Sequence, residues 1–276
     1  MIRFALDFER EKLSTAYGLE MGLLLANDKN KAYVKVENGE IEGFLLVCPH
    51  HLYLNGKMIK ASEIVVGKYD KEVYDILLDH LCHQELFAYS KSQLPHFELA
   101  SCQKEYVLYK NNLPLLNTYG ISYEIDPDAM LECYGKYITH FNGYEVYDLK
   151  AYKEHLHYLK KMGKKIIIYR RNGFVKGYLA YRDMDDHLYC DEVIYQDSRG
   201  LLTMLRHLLN YHQKLKLTLS MKEHLDFLSK DLKYEIKEGY YGHINDYQMF
   251  NTLYQSSTKN VSEGLSLAKR PLYLKP

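Results

Sequence analysis

An α/β chain of two tandem domains, each a mixed and mostly antiparallel sheet flanked by helices, is the architecture the sequence predicts. Three observations carry it. The phrase ENGEIEGFLLV, from Glu37, returns as RNGFVKGYLAY, from Arg171. Each holds Asn-Gly, an apolar residue three positions after the Asn, a second Gly, an aromatic and a Leu. Around both phrases the elements follow in one order: hairpin, strand, long helix, strand, short helix, strand. Finally, the 276 residues are 47% hydrophobic, which is enough chain and enough apolar surface for two ordinary cores.

The elements follow from periodicity and turn chemistry. Residues 2–6 read as a short strand. Residues 8–26 read as a helix, with Leu13, Tyr17 and Met21 spaced at i, i+4 and i+8. KAYVKVENGEIEGFLLV is strand, turn, strand, because a tight primed turn needs the positive φ that Asn-Gly supplies. KMIKASEIVV is a further strand, and YDKEVYDILLDHL a helix with Val73, Ile76, Leu77 and Leu81 on one face. LFAYS and KEYVLYK are strands around a short helical piece near Pro95. NNLPLLNTYG, residues 111–120, is the linker, rich in Asn with Pro and Gly.

The pattern then restarts. After a strand at 121–125, Asp126 caps a helix with Pro127 in its first turn, and 149–162 form another helix. KKIIIYRRNGFVKGYLAYRDM is the second hairpin, LYCDEVIY a strand, RGLLTMLRHLLNYH a leucine-faced helix and KLKLTLS an alternating strand. KEHLDFLSK is a short helix and YEIKEG a strand. The domains are therefore expected at 1–112 and 119–254, with a tail at 255–276. Glu63 and Glu192 fall at matching places in the strands after the two hairpins.

Bulk composition excludes several classes. Lys plus Arg equals Asp plus Glu, at 36 each, so there is no electrostatic case for nucleic acid or an anionic membrane. Five scattered cysteines fit reduced thiols and a cytoplasmic setting better than a disulfide framework. The charged start MIRFALDFEREKL is no signal peptide, and no run approaches the ~18 apolar residues of a membrane span. The 28 tyrosines carry no functional reading of their own, because composition alone explains them.

This order of elements resembles the GNAT fold of GCN5-related N-acetyltransferases. Two such domains in tandem resemble the enhanced-intracellular-survival (Eis) acetyltransferases, and YYGHINDYQMFNTLY is similar to the segment that closes their second domain. A third, sterol-carrier-like domain normally follows in that family and has no counterpart in these residues. The resemblance implies an acyl transfer from acetyl-CoA to an amine, on a small molecule or on a peptide N-terminus or lysine. It also implies a pyrophosphate site at the N-terminus of the helix after strand four, where free N–H groups and the helix dipole favour an anion.

In the first half that place reads VVGKYDKEVYDILL, so Val65, Val66, Gly67 and Lys68 are the candidate donor-binding residues. The family pattern Arg/Gln-x-x-Gly-x-Gly/Ala is absent there, and Asp70 and Glu72 place negative charge where phosphates would sit. An ordinary strand-to-helix turn is the competing reading of Gly67-Lys68. In the second half, QDSRGLLTML offers Gln196, Arg199 and Gly200, with Arg199 standing where the first motif glycine belongs. The resemblance nominates Glu63 as general base and Tyr89 as general acid; a solvent-facing strand residue is the alternative for Glu63. In Eis-type enzymes the terminal carboxylate joins the active site, which directs attention to Pro276. A non-catalytic tandem GNAT-like protein that binds a small molecule or a protein is the rival reading, because fold does not fix function.

Other clusters point elsewhere. CPHH at 48–51 and HLCH at 80–83 lack standard zinc spacing, so no metal is expected. KKMGKKIIIYRR reads as a helix C-terminus followed by a turn flanked by arginines. Oligomeric state is not encoded in any of these signals.

Overall fold

The computed structural model describes residues 1–225, 227–228, 232–270 and 272–274. The first half holds β1 (Ile2–Phe4), α1 (Asp7–Leu25), β2 (Lys31–Glu37), β3 (Glu40–Leu54), β4 (Lys57–Lys68), α2 (Lys71–Gln84), β5 (Phe87–Ser90), β6 (Glu98–Leu99) and β7 (Cys102–Tyr109). Then come β8 (Ile121–Ser122), α3 (Pro127–Ile138), β9 (Tyr144–Glu145), α4 (Leu149–Lys161), β10 (Lys165–Arg171), β11 (Phe174–Asp183), β12 (Leu188–Tyr195), α5 (Ser198–Tyr211), β13 (Lys214–Ser220) and β14 (Tyr234–Glu238). The chain continues with β15 (Tyr241–Ile244), α6 (Tyr247–Tyr254) and α7 (Val261–Ser266).

Two mixed sheets organise these elements. One runs β1-β2-β3-β4-β5-β15-β6, with β9 also paired to β3, and the other runs β8-β10-β11-β12-β13-β7-β14. Position by position the two orders correspond. Each sheet is antiparallel except for one short parallel rung set, β4 with β5 and β12 with β13. The hairpins at Asn38 and Asn172 occupy equivalent strands. Both Asn residues have φ of 52°, followed by Gly39 at 82° and Gly173 at 81°, which is the turn conformation that Asn-Gly was expected to supply.

Each sheet takes an inner strand from the other half of the chain. β7, read in the sequence as the end of the first half, pairs with β13 and β14. β15 pairs with β5 and β6. The compact units accordingly comprise residues 1–101, 143–146 and 239–269 in one, and 102–142, 147–238 and 270–276 in the other. They do not follow the linear division expected at 111–120. The tail also divides: 255–269, with α7, belong to the first unit, and the residues from Arg270 to the second. The expected helix at 222–230 includes 226, 229 and 230, which lie outside the described residues. The helical piece expected near Pro95 is instead a bend and a turn, with His96 at φ 65°.

Helix starts are set by aspartates. Asp70, Asp126, Asp148, Asp197 and Asp246 each accept a backbone N–H from the first turn of the following helix. The first unit packs Leu45, Val47 and Ile64 under Val73, Leu77 and Leu81 of α2. On the opposite sheet face, Leu13, Met21 and Leu25 of α1 cover Val34, Phe44 and Leu46. The second unit buries Leu201, Leu205, Leu208 and Leu209 of α5 against Ile167, Leu179 and Leu217.

Candidate active site

The parallel pairing of β4 and β5 lasts three rungs, Ala61 with Phe87, Ser62 with Ala88 and Glu63 with Tyr89. Beyond that last rung the two strands part, so Glu63 and Tyr89 stand side by side where the sheet opens. The two residues nominated from sequence therefore share one place. On the other side of Glu63, the antiparallel rung with β3 sets it against Cys48.

Two residues missed in the sequence complete the cluster. His50, two residues beyond Cys48 on β3, meets the Tyr89 ring at 6.0 Å between centroids. Its Nδ1 lies 2.8 Å from Glu145 Oε1. Glu145 arrives on β9, which pairs with β3 through Leu52–Glu145 and Tyr53–Tyr144, so a two-residue strand exists in the first unit to deliver it. His50 Nε2 is buried without a hydrogen-bond partner among the described residues. Tyr89 is buried and packs edge-on against Tyr240 at 5.4 Å.

The electrostatics are those of a partly dehydrated acid–base cluster. Burial pushes the Glu63 carboxyl above the ordinary Glu range, and the charges of Lys91 and His50 offset only part of that. For His50, burial pulls downward, but Glu145, by charge and hydrogen bond, together with Glu63 and Glu85, outweighs it and leaves the imidazole raised. Burial and then the Glu63 charge hold the Tyr89 phenol well above its usual 10. Glu63 thus lies half-buried with its carboxyl raised, within electrostatic reach of His50.

Among the described residues the second unit has no such cluster at its last parallel rung. Its last parallel rung pairs Cys190 with Leu217. The helix caps match too: Asp70 precedes the 14-residue α2 as Asp197 precedes the 14-residue α5. Counting back from those caps, Cys190 is the structural counterpart of Glu63. The matching of Glu63 with Glu192 is thereby corrected; β3 with its turn is longer than β11 with its own, and counting from the hairpins alone misplaces the strand. Glu192 is buried and bonds His155 Nε2 at 2.9 Å. Beyond the rung, Glu223 accepts from Tyr137 and Tyr195 hydroxyls, both at 2.8 Å, and from Ser220 N at 2.9 Å. Tyr273 of the tail packs on Phe141 and Tyr137. Pro276 lies outside the described residues.

The candidate donor-binding residues do not form a phosphate loop. Val65, Val66, Gly67 and Lys68 all remain in β4. Phe44 pairs with Lys68 and Leu45 with Val66, so Gly67 is the extra residue of a bulge. It is a glycine because the Phe44 ring covers it: a Cβ there would lie 1.9 Å from Phe44 Cζ. Lys68 Nζ pairs with Glu42 at 3.0 Å. At the N-terminus of α2, Asp70 Oδ1 takes the N–H groups of Glu72 and Val73, at 3.0 and 3.1 Å. Lys35 is held by Glu72, Glu37 and Asp70, at 3.1, 3.2 and 3.3 Å. In the second unit, Asp197 takes the Gly200 N–H at 2.7 Å and Lys176 bonds Gln196 at 3.1 Å. At each helix end the capping aspartate takes first-turn N–H groups that an anion would otherwise use.

The other sequence clusters resolve simply. Among the described residues no group of three His, Cys, Asp or Glu side chains is placed to hold a metal. All five cysteines are free thiols. Of the basic run, Lys164 pairs with Asp191 at 2.7 Å and Arg170 with Asp126 at 3.1 Å. No described helix is long and apolar enough to cross a membrane.

A hairpin, a strand that parts from its parallel neighbour and a helix launched from that opening are the arrangement of the GNAT fold, and each of the two sheets carries it once. Solved structures agree over nearly the whole chain. It is similar to a conserved protein of unknown function from Enterococcus faecalis described as a probable N-acyltransferase, with TM-score 0.74 and 13% identity, over 91% of this chain and 74% of that one. Eis1 from Mycobacterium abscessus matches with TM-score 0.65 and 14% identity, over 91% of this chain and 75% of that one. A GCN5-related N-acetyltransferase from Anabaena variabilis matches with TM-score 0.67 and 11% identity, over 89% and 73%. No protein-family model and no curated protein matches the sequence.

Proposed function

We propose that the chain is an N-acyltransferase that moves an acetyl or similar acyl group from a thioester donor, acetyl-CoA in the first instance, to a primary amine at the opening between β4 and β5. The observation that carries this reading is the shared rung of Glu63 and Tyr89, with His50 and Glu145 beside it. An amine reaches the protein as an ammonium ion and has no lone pair to attack with. Glu63 accepts that proton, and its raised pKa matches it to the task. The amine then forms the C–N bond as the C–S bond breaks. Tyr89 hydrogen-bonds the departing sulfur. It is not the proton source, because a phenol held well above 10 is a weaker acid than a thiol of about 8.5. Two protons leave the nitrogen in all: the one taken by Glu63 before attack is released to solvent, and the one shed as the C–N bond forms passes to the departing thiolate. The acceptor is a small-molecule amine or a peptide N-terminus or lysine, and a cytoplasmic setting suits the free thiols.

A second reading, a non-catalytic binding protein on the same fold, draws its support from the filled helix N-terminus. Mass-spectrometric detection of acylated amine, over a panel of primary amines and with acetyl-CoA and acetyl-pantetheine as donors, separates the two. Transfer by the wild type, lost by about a hundredfold or more in Glu63→Gln and kept within about twofold in Lys68→Ala, is expected for an active base. Absence of transfer by the wild type, or a Glu63→Gln variant as fast as the wild type, favours the binding protein.

A further inference from the structure

We infer that Asp70 is a built-in anion standing where a donor's pyrophosphate would bind, so that this chain recognises its acyl donor by the thioester and the arm that carries it, not by the nucleotide diphosphate. This deepens the acyltransferase reading and rests on it.

A diphosphate at a helix end needs unoccupied N–H groups and a cation free to turn toward it. At the end of α2 two of the first-turn N–H groups are already taken, and of the described cations nearby only Lys71, exposed in the first turn, is outside the carboxylate pairs. Asp70 consumes the N–H groups of Glu72 and Val73 through one oxygen, and its other oxygen lies 3.3 Å from Lys35. Lys35 is shared among Asp70, Glu37 and Glu72, so its charge is already matched by three carboxylates. Burial is the largest single influence on the Asp70 carboxyl and pushes it up, but the Val73 N–H, Lys35 and the Glu72 N–H together outweigh it and hold it below its ordinary value, so it is ionised at neutral pH.

The surrounding chain is shaped to this arrangement. Gly43 on the neighbouring strand has no room for a side chain, since its Cβ would fall 2.3 Å from Asp70 Cβ. Only Tyr69 and Asp70 separate β4 from α2, so no glycine loop is available to wrap a phosphate. Lys68, at the end of β4, turns to Glu42. The acid–base cluster at Glu63 is meanwhile intact. What the structure withdraws is the diphosphate's anchor alone, and a short acyl-thioester donor such as acyl-pantetheine loses nothing by that.

Isothermal titration of the intact chain with CoA and with pantetheine tests this directly, alongside Asp70→Gly and Asp70→Gly/Glu72→Gln. The expected result has wild-type CoA binding no more than about threefold tighter than pantetheine. The variants gain about tenfold or more for CoA and nothing for pantetheine, because the N–H groups of Glu72 and Val73 become available to phosphate and the double variant relieves Lys35 of two of its three carboxylates. Wild-type binding of CoA more than tenfold tighter than pantetheine overturns the inference. So does a variant that unfolds as cooperatively as the wild type yet gains nothing for CoA. Failure of the acyltransferase reading shows separately, as transfer insensitive to Glu63→Gln.

Discussion

Replacing Gly67 by alanine puts the packing account of this residue to a quantitative test. Its added methyl would stand 1.9, 2.0 and 2.5 Å from three carbons of the Phe44 ring. Phe44 is fully buried and cannot swing into solvent, and the Tyr17 ring closes on it edge-on at 4.8 Å. The strand or the ring has to shift by more than an ångström, and such overpacking costs about 1–3 kcal/mol. At roughly 2–4 °C per kcal/mol for a chain of this size, a 2 kcal/mol loss lowers Tm by about 4–8 °C. Phe44→Leu alone should cost about 1–2 kcal/mol. The double variant, in which the smaller side chain makes room for the methyl, should cost less than the two together by roughly 1 kcal/mol. Urea denaturation of the four proteins measures this coupling. Additivity within about 0.5 kcal/mol, or a neutral Gly67→Ala, would refute the steric reasoning and return Gly67 to the list of ligand-binding candidates.

Two further outcomes follow from the charged groups. Asp70→Ala removes the acceptor for two first-turn N–H groups and should lose about 0.5–2 kcal/mol at pH 7. Because the folded Asp70 pKa lies below its usual 3.8, that contribution is present above pH 3.8 and is lost as pH falls through the folded value, so wild type and variant should converge in acid denaturation. Glu63 has the opposite sign. Its folded pKa is raised from 4.5, so its favourable contribution is complete below 4.5 and disappears as pH rises through the folded value. Glu63→Gln should therefore gain stability relative to wild type between pH 5 and 8 while losing transfer, and a melting series across that range checks it.

Local signals were the legible ones. Asn38-Gly39 and Asn172-Gly173 gave both hairpins because a positive-φ pair admits few other solutions. LYCDEVIY and KLKLTLS became β12 and β13 residue for residue. Glu63 and Tyr89 were reachable through the resemblance, and the register then put them on one rung. Partner choice was not legible. KEYVLYK alternates in the same way whichever sheet receives it, so nothing in β7 itself announces pairing with β13. His50 sat inside a segment weighed for zinc, and Glu145 in a stretch with no strand pattern, because β9 has two residues and is defined only by its neighbour β3. Asp70 was read as a repelling charge; its hydrogen bonds to the helix it precedes show it to be the cap.

The crossing strands also set a timetable for synthesis. The inner edge of β5 stays unpaired until β15 is made, about 150 residues later. At roughly 5–20 residues per second, a ribosome leaves that edge open for about 8–30 s. β7 meets the mirror-image delay, since it is finished before any of the sheet that will receive it. An N-terminal fragment ending at the linker would carry β7 with no sheet to join and β5 with a bare flank. Neither half is therefore a self-sufficient folding unit, and co-expressed fragments cut in the linker should become soluble only together.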